Sequence, residues 1–343
     1  MANAFISGTG SFVPPRVVTN DDLAKDYGID TNHDWIVQRT GIEARRYAEE
    51  GLGPSDLALP AAEMALKNAG LQKTDLDMIV FATLSPEHCF PGAGVYLQQK
   101  LGLCDGPNAK FVPALDVRNQ CSGFLYGLAT AGSMVKSGAA KHVLVVGAEV
   151  HSAALDLSTR GRTVSSLFGD GAGAVIVSRT DEDRGLRSFK LGADGRYADN
   201  LSQKVWDIRK RPFIPQNAEG IGQVAPEMMW AQMDGKVVFK NAVERMMGVL
   251  MEVMLADGVS GGDIDLFCFH QANLRINQYV QQHLGIPDDK VVHNIQRYGN
   301  TTAATIPLLL AEAEASGKLK RGMKVAMVAF GSGFTWGAQL CDW

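Results

Sequence analysis

One pattern occurs twice in this 343-residue chain, and it limits the fold more than any other feature does. Gly70 is followed by Asp75-Leu-Asp-Met-Ile-Val-Phe-Ala-Thr83. Gly258 is followed, at the same spacing, by Asp263-Ile-Asp-Leu-Phe-Cys-Phe-His-Gln271. Each copy reads as a helix ending near its glycine, a short loop and an apolar strand of the fully buried kind. A second correspondence follows. Cys121 stands as far ahead of Gly138 as Asn300 stands ahead of Gly317, each glycine being preceded by a serine. An apolar strand comes next in both, over residues 142–147 and 324–330. Helices and buried strands repeated in this way predict two related α/β halves. At roughly 150 residues per domain the length also suits about two domains' worth of core.

Between the repeats, Phe124, Leu125, Leu128, Ala131, Met134 and Val135 recur at helical spacing, while residues 111–117 read as a strand. Cys121 is therefore expected at a strand-to-helix turn, at the helix start. By the same reasoning Asn300 opens the helix that runs through Ile306, Leu309 and Leu310. Each half closes with a glycine turn before a strand: Phe168-Gly-Asp-Gly-Ala-Gly173 before residues 174–178, and Phe330-Gly-Ser-Gly333 before residues 335–340. The stretch from about Thr180 to Gly235 matches neither half. Its prolines, glycines and basic run Arg209-Lys-Arg211 predict loops over one face. The expected division is thus 1–180, an irregular cap or linker over 181–235, and 236–343.

A thiol at a helix N-terminus feels the positive end of the helix dipole, which can lower its pKa to roughly 3.5–7.5. Position alone leaves Cys121 between a nucleophile and a small buried filler. The repeat favours the first. His270 ends one buried strand and Asn300 begins the next helix, so in a two-fold-related pair of sheets both converge on Cys121 at the C-terminal strand ends, where open α/β sheets bind ligands. Other functions find little support. The 33 Lys and Arg against 37 Asp and Glu give a net charge of −4, which removes the whole-chain argument for nucleic acid or an anionic membrane. No apolar run approaches the length of a membrane span, and the segment from Met1 to Pro15 lacks the pattern of a signal peptide. A cytoplasmic protein is expected. Five scattered cysteines make no disulfide framework. Cys268-x-His270 has no second ligand pair for a metal, and Gly169-Asp-Gly-Ala-Gly173 lacks the Lys-Ser or Lys-Thr of a P-loop.

Taken together, Asn119-Gln-Cys121-Ser-Gly, His270-Gln-Ala-Asn-Leu-Arg275, Tyr298-Gly-Asn300-Thr-Thr, Phe168-Gly-Asp-Gly-Ala-Gly173 and Phe330-Gly-Ser-Gly-Phe-Thr-Trp336-Gly resemble the ketoacyl synthase III group of the thiolase superfamily, over essentially the whole chain. The resemblance implies a thiolase-like five-layer αβαβα fold, a homodimer, and an active site of Cys121, His270 and Asn300. It implies an oxyanion hole from the backbone N–H groups of Cys121 and Ser332. Trp35, Arg39 and Arg160 resemble coenzyme A contacts, and Asn273 a pantetheine contact. Lys240 and Arg275 resemble basic residues that receive the acidic acyl carrier protein. Phe90 resembles the residue that a dimer partner inserts at the floor of the acyl pocket. No cofactor is implied beyond the thioester substrates.

The reaction so implied is a decarboxylating condensation of an acyl-CoA starter with malonyl-acyl carrier protein through an acyl-Cys121 intermediate, giving a 3-oxoacyl thioester in fatty-acid or polyketide-type synthesis. Three alternatives stand beside it: non-decarboxylating condensation of two acyl-CoAs, acyl transfer to an oxygen or nitrogen acceptor, and a non-catalytic partner subunit. The first needs a glutamate base near the dimer contact, where this chain has Phe90 and, slightly earlier, Glu87. The apolar Trp206, Phe213, Ile214 and Met228-Met-Trp230 lead to the expectation that a medium-length starter is preferred over acetyl, because each methylene removed from water contributes about 0.8 kcal/mol.

Overall fold

The repeat seen in the sequence is present as two sheets of matching strand order in the computed structural model, which describes residues 2–205, 207–209 and 226–343. The first sheet holds β1 (Asn3–Phe12), β2 (Met78–Ala82), β3 (Ala114–Val117), β4 (His142–Glu149) and β5 (Gly171–Thr180), in the order β1-β5-β4-β2-β3. The second holds β6 (Gly185–Ala193), β7 (Leu266–Phe269), β8 (Lys324–Gly331) and β9 (Thr335–Asp342), in the order β6-β9-β8-β7. Strand for strand these correspond. The place of β3 is taken in the second sheet by a single parallel bridge between Phe267 and Val291.

The longer helices are α1 (His33–Thr40), α2 (Pro54–Ala69), α3 (Ala93–Lys100), α4 (Gly123–Lys136), α5 (Gly235–Asp257), α6 (Leu274–His283) and α7 (Thr305–Ala315). Gly70 and Gly258 end α2 and α5 in the left-handed region, at φ 68° and 66°, where an L-residue would be strained and glycine is not.

Strand side chains alternate between two dry faces. Ile79 and Phe81 of β2 pack outward with Leu57 and Ala61 of α2 and Leu97 of α3. Val80 points the other way, into a core shared by Phe124 and Leu128 of α4, Ile306 and Leu310 of α7, and Cys268 and Met327 of the second sheet. Phe267 and Phe269 then face Met246 and Val249 of α5 and Val280 of α6. The layers run helix, sheet, helix, sheet, helix, so the chain has the five-layer αβαβα architecture. The apolar runs of β2 and β7 follow from this, since a strand with helices on both faces has no side left for water.

Two expectations need correction. Residues 185–193, read as loop, form β6 and pair with β9 at the edge of the second sheet. Its Phe189 and Lys190 are exposed, so the strand carries no buried apolar run by which to recognise it. The strand expected over 111–117 begins only at Ala114. Pro113 has no N–H to donate, and Phe111 is 82% exposed. Leu201–Ser202 pairs with Gln232–Met233 as a short ribbon. Trp206, Phe213, Ile214 and most of the basic run lie outside the described residues, so the expectation of a longer starter has no structural footing from them.

Candidate active site

The polypeptide leaves β3, turns, and enters α4 through a single 3₁₀ turn over Gln120–Ser122. Gln120 takes φ 46° there, an uncommon conformation for a residue with a side chain. Cys121 thus lies just ahead of α4 rather than as its first α-helical residue. Gly331, the last residue of β8, packs against it: a Cβ at this position would lie 2.9 Å from Cys121 Cβ. Only glycine fits, and the backbone N–H groups of the next residue, Ser332, and of Cys121 itself favour negative charge on the Cys121 sulfur.

His270 follows β7, with its N–H donating to Val328 O at 2.8 Å. Its Nδ1 lies 2.6 Å from Thr305 Oγ1, and its Nε2 is buried without a partner. The Thr305 hydroxyl also lies 3.0 Å from Thr302 O. That one proton can go to the Thr302 carbonyl or to Nδ1. In the first case Nε2 is an acceptor, and in the second it carries the ring proton and is a donor. Asn300 precedes α7, pinned by its N–H to Leu167 O at 2.8 Å, and its Oδ1 accepts from Thr302 N at 2.8 Å. The amide is therefore oriented, with Nδ2 left as a donor.

Cys121, His270 and Asn300 line one cavity of about 1200 Å³, together with Trp35, Arg39 and Asn273. The electrostatics differ from the sequence expectation. Burial, reinforced by the Glu149 carboxylate, pushes the Cys121 thiol up to about 12 despite the Thr302 and backbone hydrogen bonds that favour the anion. The resting group is a thiol, not a thiolate. Burial also brings His270 down to about 3, so its ring is neutral.

Further out, Asn32 caps α1 by accepting from Trp35 N at 2.8 Å, and Trp35 lines the cavity. Arg39 lies 4.4 Å from the ring centroid and Arg162 5.3 Å. Arg160 is elsewhere, its Nε paired to Asp156 at 2.7 Å. Asn273 caps α6 through Oδ1, at 2.8 Å from Arg275 N. The Arg275 guanidinium is occupied, donating to the Val37 and Gln38 carbonyls at 2.9 and 3.0 Å, whereas Lys240 is exposed. Glu87 accepts from Ser55 N at 2.8 Å at the start of α2 and does not line the cavity. Phe90 is 83% exposed.

Two family models match, described as 3-oxoacyl-[acyl-carrier-protein (ACP)] synthase III over residues 115–195 and as its C-terminal part over residues 254–343. The 3-oxoacyl-[acyl-carrier-protein] synthase III of Aquifex aeolicus is 40% identical, covering 99% of this chain and 100% of its own, with a TM-score of 0.87. This chain belongs to the 3-oxoacyl-acyl-carrier-protein synthase III family. The synthase III enzymes of Thermus thermophilus and Pseudomonas aeruginosa are 38% and 37% identical, with TM-scores of 0.87 and 0.86. Each covers 99% of this chain, which covers 99% and 98% of theirs. As a member of this family the chain is an acyltransferase-type enzyme.

Sequence reasoning missed several residues of this synthase III site. Arg162, a near neighbour of Arg160 in the same loop, is the guanidinium that joins Arg39 over Trp35. Glu149, His151, Thr302 and Thr305 form a buried polar layer beneath the cysteine. A carboxylate closing the otherwise apolar run of β4 is the one signal of that layer in the sequence.

Proposed function

We propose that this protein transfers the acyl group of an acyl-CoA to Cys121 and condenses it with malonyl-acyl carrier protein, releasing CO₂ and a 3-oxoacyl thioester. The observation that carries this reading is the gathering of Cys121, His270 and Asn300 on one cavity. A sulfur nucleophile splits the condensation into two easier steps. The backbone N–H groups of Cys121 and Ser332, which favour negative charge at the sulfur, serve in this reading as the oxyanion hole for each tetrahedral intermediate. The place of Glu87 at the start of α2, outside the lining of the cavity, weighs against the non-decarboxylating alternative, which needs a carboxylate base at the site. Purified protein supplied with acyl-CoA and malonyl-acyl carrier protein is expected to release CO₂ and 3-oxoacyl-carrier protein in equal amounts. A product that retains the malonyl carboxylate, or no condensation at all, would reject the reading.

In this account the adenine of coenzyme A stacks on Trp35, with Arg39 and Arg162 serving the phosphates and the ring face. Arg162 takes the place first given to Arg160. Asn273 meets the pantetheine arm. Trp35→Ala and Arg162→Ala are expected to raise KM for acyl-CoA roughly tenfold with kcat little changed, as lost stacking and cation–π contacts would. Arg160→Ala should stay within about twofold of wild type. Steady-state kinetics decide, and the reverse ranking of Arg160 and Arg162 would refute the assignment.

Lys240 is proposed as a docking charge for the carrier protein. Arg275 contributes less directly, because its guanidinium secures the end of α1, the helix that carries Trp35 and Arg39. The cytoplasm is the proposed location. A homodimer is proposed in which Phe90 enters the partner's acyl pocket. The exposure of Phe90 and the position of β3 at the edge of the first sheet support it, since an exposed aromatic and an unpaired edge are features that association covers. Light scattering should give twice the chain mass. A fully active monomer would defeat the dimer.

A further inference from the structure

Beneath Cys121 lies a group of buried ionisable side chains that the condensation itself does not use. Glu149 is completely buried at the end of β4. It accepts from Leu84 N at 3.0 Å, Ser85 N at 3.1 Å, Ser85 Oγ at 2.7 Å and Thr83 Oγ1 at 3.2 Å. Two of these donors are backbone N–H groups, which can only donate, so the set favours a carboxylate; burial opposes this and brings the group up to about 7. His151 follows shortly after. Its Nε2 is 3.9 Å from Glu149 Oε2 and 2.6 Å from Thr302 Oγ1, and its ring packs against Phe168 at 4.7 Å. Thr302 is held at φ 49°, and its hydroxyl favours negative charge on the Cys121 sulfur. The side chains are thus ranged in the order Cys121, Thr302, His151 and Glu149, with a hydrogen bond between Thr302 and His151 and the Glu149 carboxylate within ion-pair distance of the His151 ring.

We propose that this line is a proton relay by which His151, acting through the Thr302 hydroxyl, takes the proton of Cys121 as the thiol attacks the acyl-CoA. The inference rests on Cys121 being the acylated residue. In the forward step the Cys121 S–H bond and the Thr302 O–H bond break while a new O–H bond forms on Thr302 and an N–H bond on His151. Thr302 ends with the proton count it began with, and His151 becomes an imidazolium beside Glu149. The sulfur electron pair forms the bond to the thioester carbon. The tetrahedral intermediate then expels the coenzyme A sulfur, which shares its carbon with the Cys121 sulfur; the Thr302 O–H proton passes to that leaving sulfur while His151 N–H returns a proton to the Thr302 oxygen, leaving His151 neutral. Both ends start uncharged, since burial lowers the His151 imidazole to about 4 and raises the thiol to about 12, so the proton moves only in concert with bond formation at the thioester carbon. The imidazolium exists only while the carbonyl is under attack, and Glu149 is the one carboxylate in the line to balance it. His270, whose Nδ1 faces Thr305, stays available for the second half-reaction.

The test is single-turnover acylation of the full-length protein by acetyl-CoA and by octanoyl-CoA, read by intact mass, with Cys121 alkylation by iodoacetamide as a probe that needs no coenzyme A site. General-base assistance of this kind contributes at least about a hundredfold, so Thr302→Val and His151→Leu should each slow acylation by about that factor, and slow alkylation as well. The double variant should be no slower than either single one, because one broken link disables the line. Thr302→Ser, which keeps the hydroxyl, should restore the rate. The solvent deuterium isotope effect of the wild-type step should shrink in Thr302→Val, which loss of packing alone would not cause. If His151→Leu does not fold, His151→Gln and the two Thr302 variants carry the test. Unchanged acylation in Thr302→Val, or full additivity in the double variant, overturns the relay. Wild-type protein that takes up no acyl group on Cys121 would instead overturn the functional reading beneath it.

Discussion

Cys121→Ala is expected to remain at its unmodified mass after incubation with any acyl-CoA that loads the wild-type protein, and to lose condensation by a factor of about 10³ or more. The expectation follows from position and chemistry together. Cys121 lines the cavity shared with His270 and Asn300, and the backbone N–H groups of Cys121 and Ser332 favour negative charge at its sulfur. The other cysteines offer no substitute. Cys268 and Cys341 are buried in strands, with thiols that burial raises to about 12, and neither lines the cavity. Cys89 and Cys104 are exposed and lie outside the cavity as well. Because the Cys121 thiol is itself raised, a mutant effect on binding can be separated from one on chemistry. Cys121→Ser keeps the shape and hydrogen bonding and should still bind acyl-CoA, yet its poorer nucleophile should load slowly. An acyl mass gained by Cys121→Ala would move the nucleophile elsewhere.

The raised thiol shows what a sequence can and cannot carry. The matched spacing from Cys121 to Gly138 and from Asn300 to Gly317 locates the two central helices, because a helix that caps one strand and precedes another leaves its period and its terminal glycine in the chain. The same spacing brings Cys121, His270 and Asn300 to one place, since pseudo-symmetric sheets put equivalent strand ends together. What period and spacing do not record is depth. The helix-start argument treats Cys121 as if water reached it, whereas α4 and α7 are sandwiched between two sheets and the site lies at their buried ends. Desolvation then outweighs the favourable hydrogen bonds. Glu149, His151 and Thr302 are hidden from the sequence for a related reason. They are far apart along the chain, and only the close passage of β4 against the turn before α7, where a Cβ on Gly147 would overlap the Ala303 carbonyl, brings them into contact. Strand β6 does not register because an edge strand with exposed side chains obeys no burial period. Arg160 and Arg162 share a short loop, and the choice between them is made by the packing of Arg162 on Trp35.

His270→Ala and Asn300→Ala are each expected to accept an acyl group on Cys121 at a rate near that of wild type while losing CO₂ release from malonyl-acyl carrier protein by about 10²–10³-fold. Loss of CO₂ leaves an enolate whose oxygen carries the developing charge, and a donor aimed at that oxygen beforehand lowers the barrier without reorganising. Asn300 supplies such a donor from Nδ2, since its Oδ1 is committed to Thr302 N at 2.8 Å. His270 supplies the second from Nε2 when the Thr305 hydroxyl donates to Nδ1, a switch that leaves the Thr302 carbonyl without that bond and costs about 1 kcal/mol. Burial helps rather than hinders here. A ring lowered to about 3 is neutral across the working pH range, so it offers a hydrogen bond without holding the malonyl carboxylate in place as a fixed cation would. Thr305→Val should accordingly lower CO₂ release by less than His270→Ala does, because the ring remains but its tautomer is no longer steered. The two half-reactions are measured apart, acylation by intact mass and decarboxylation by CO₂ evolved from the malonyl substrate alone. Acylation lost with CO₂ release intact would reverse the roles, making His270 the base for Cys121 and leaving decarboxylation to other groups. Equal loss of both would mean that His270 and Asn300 shape the cavity as a whole rather than the enolate step.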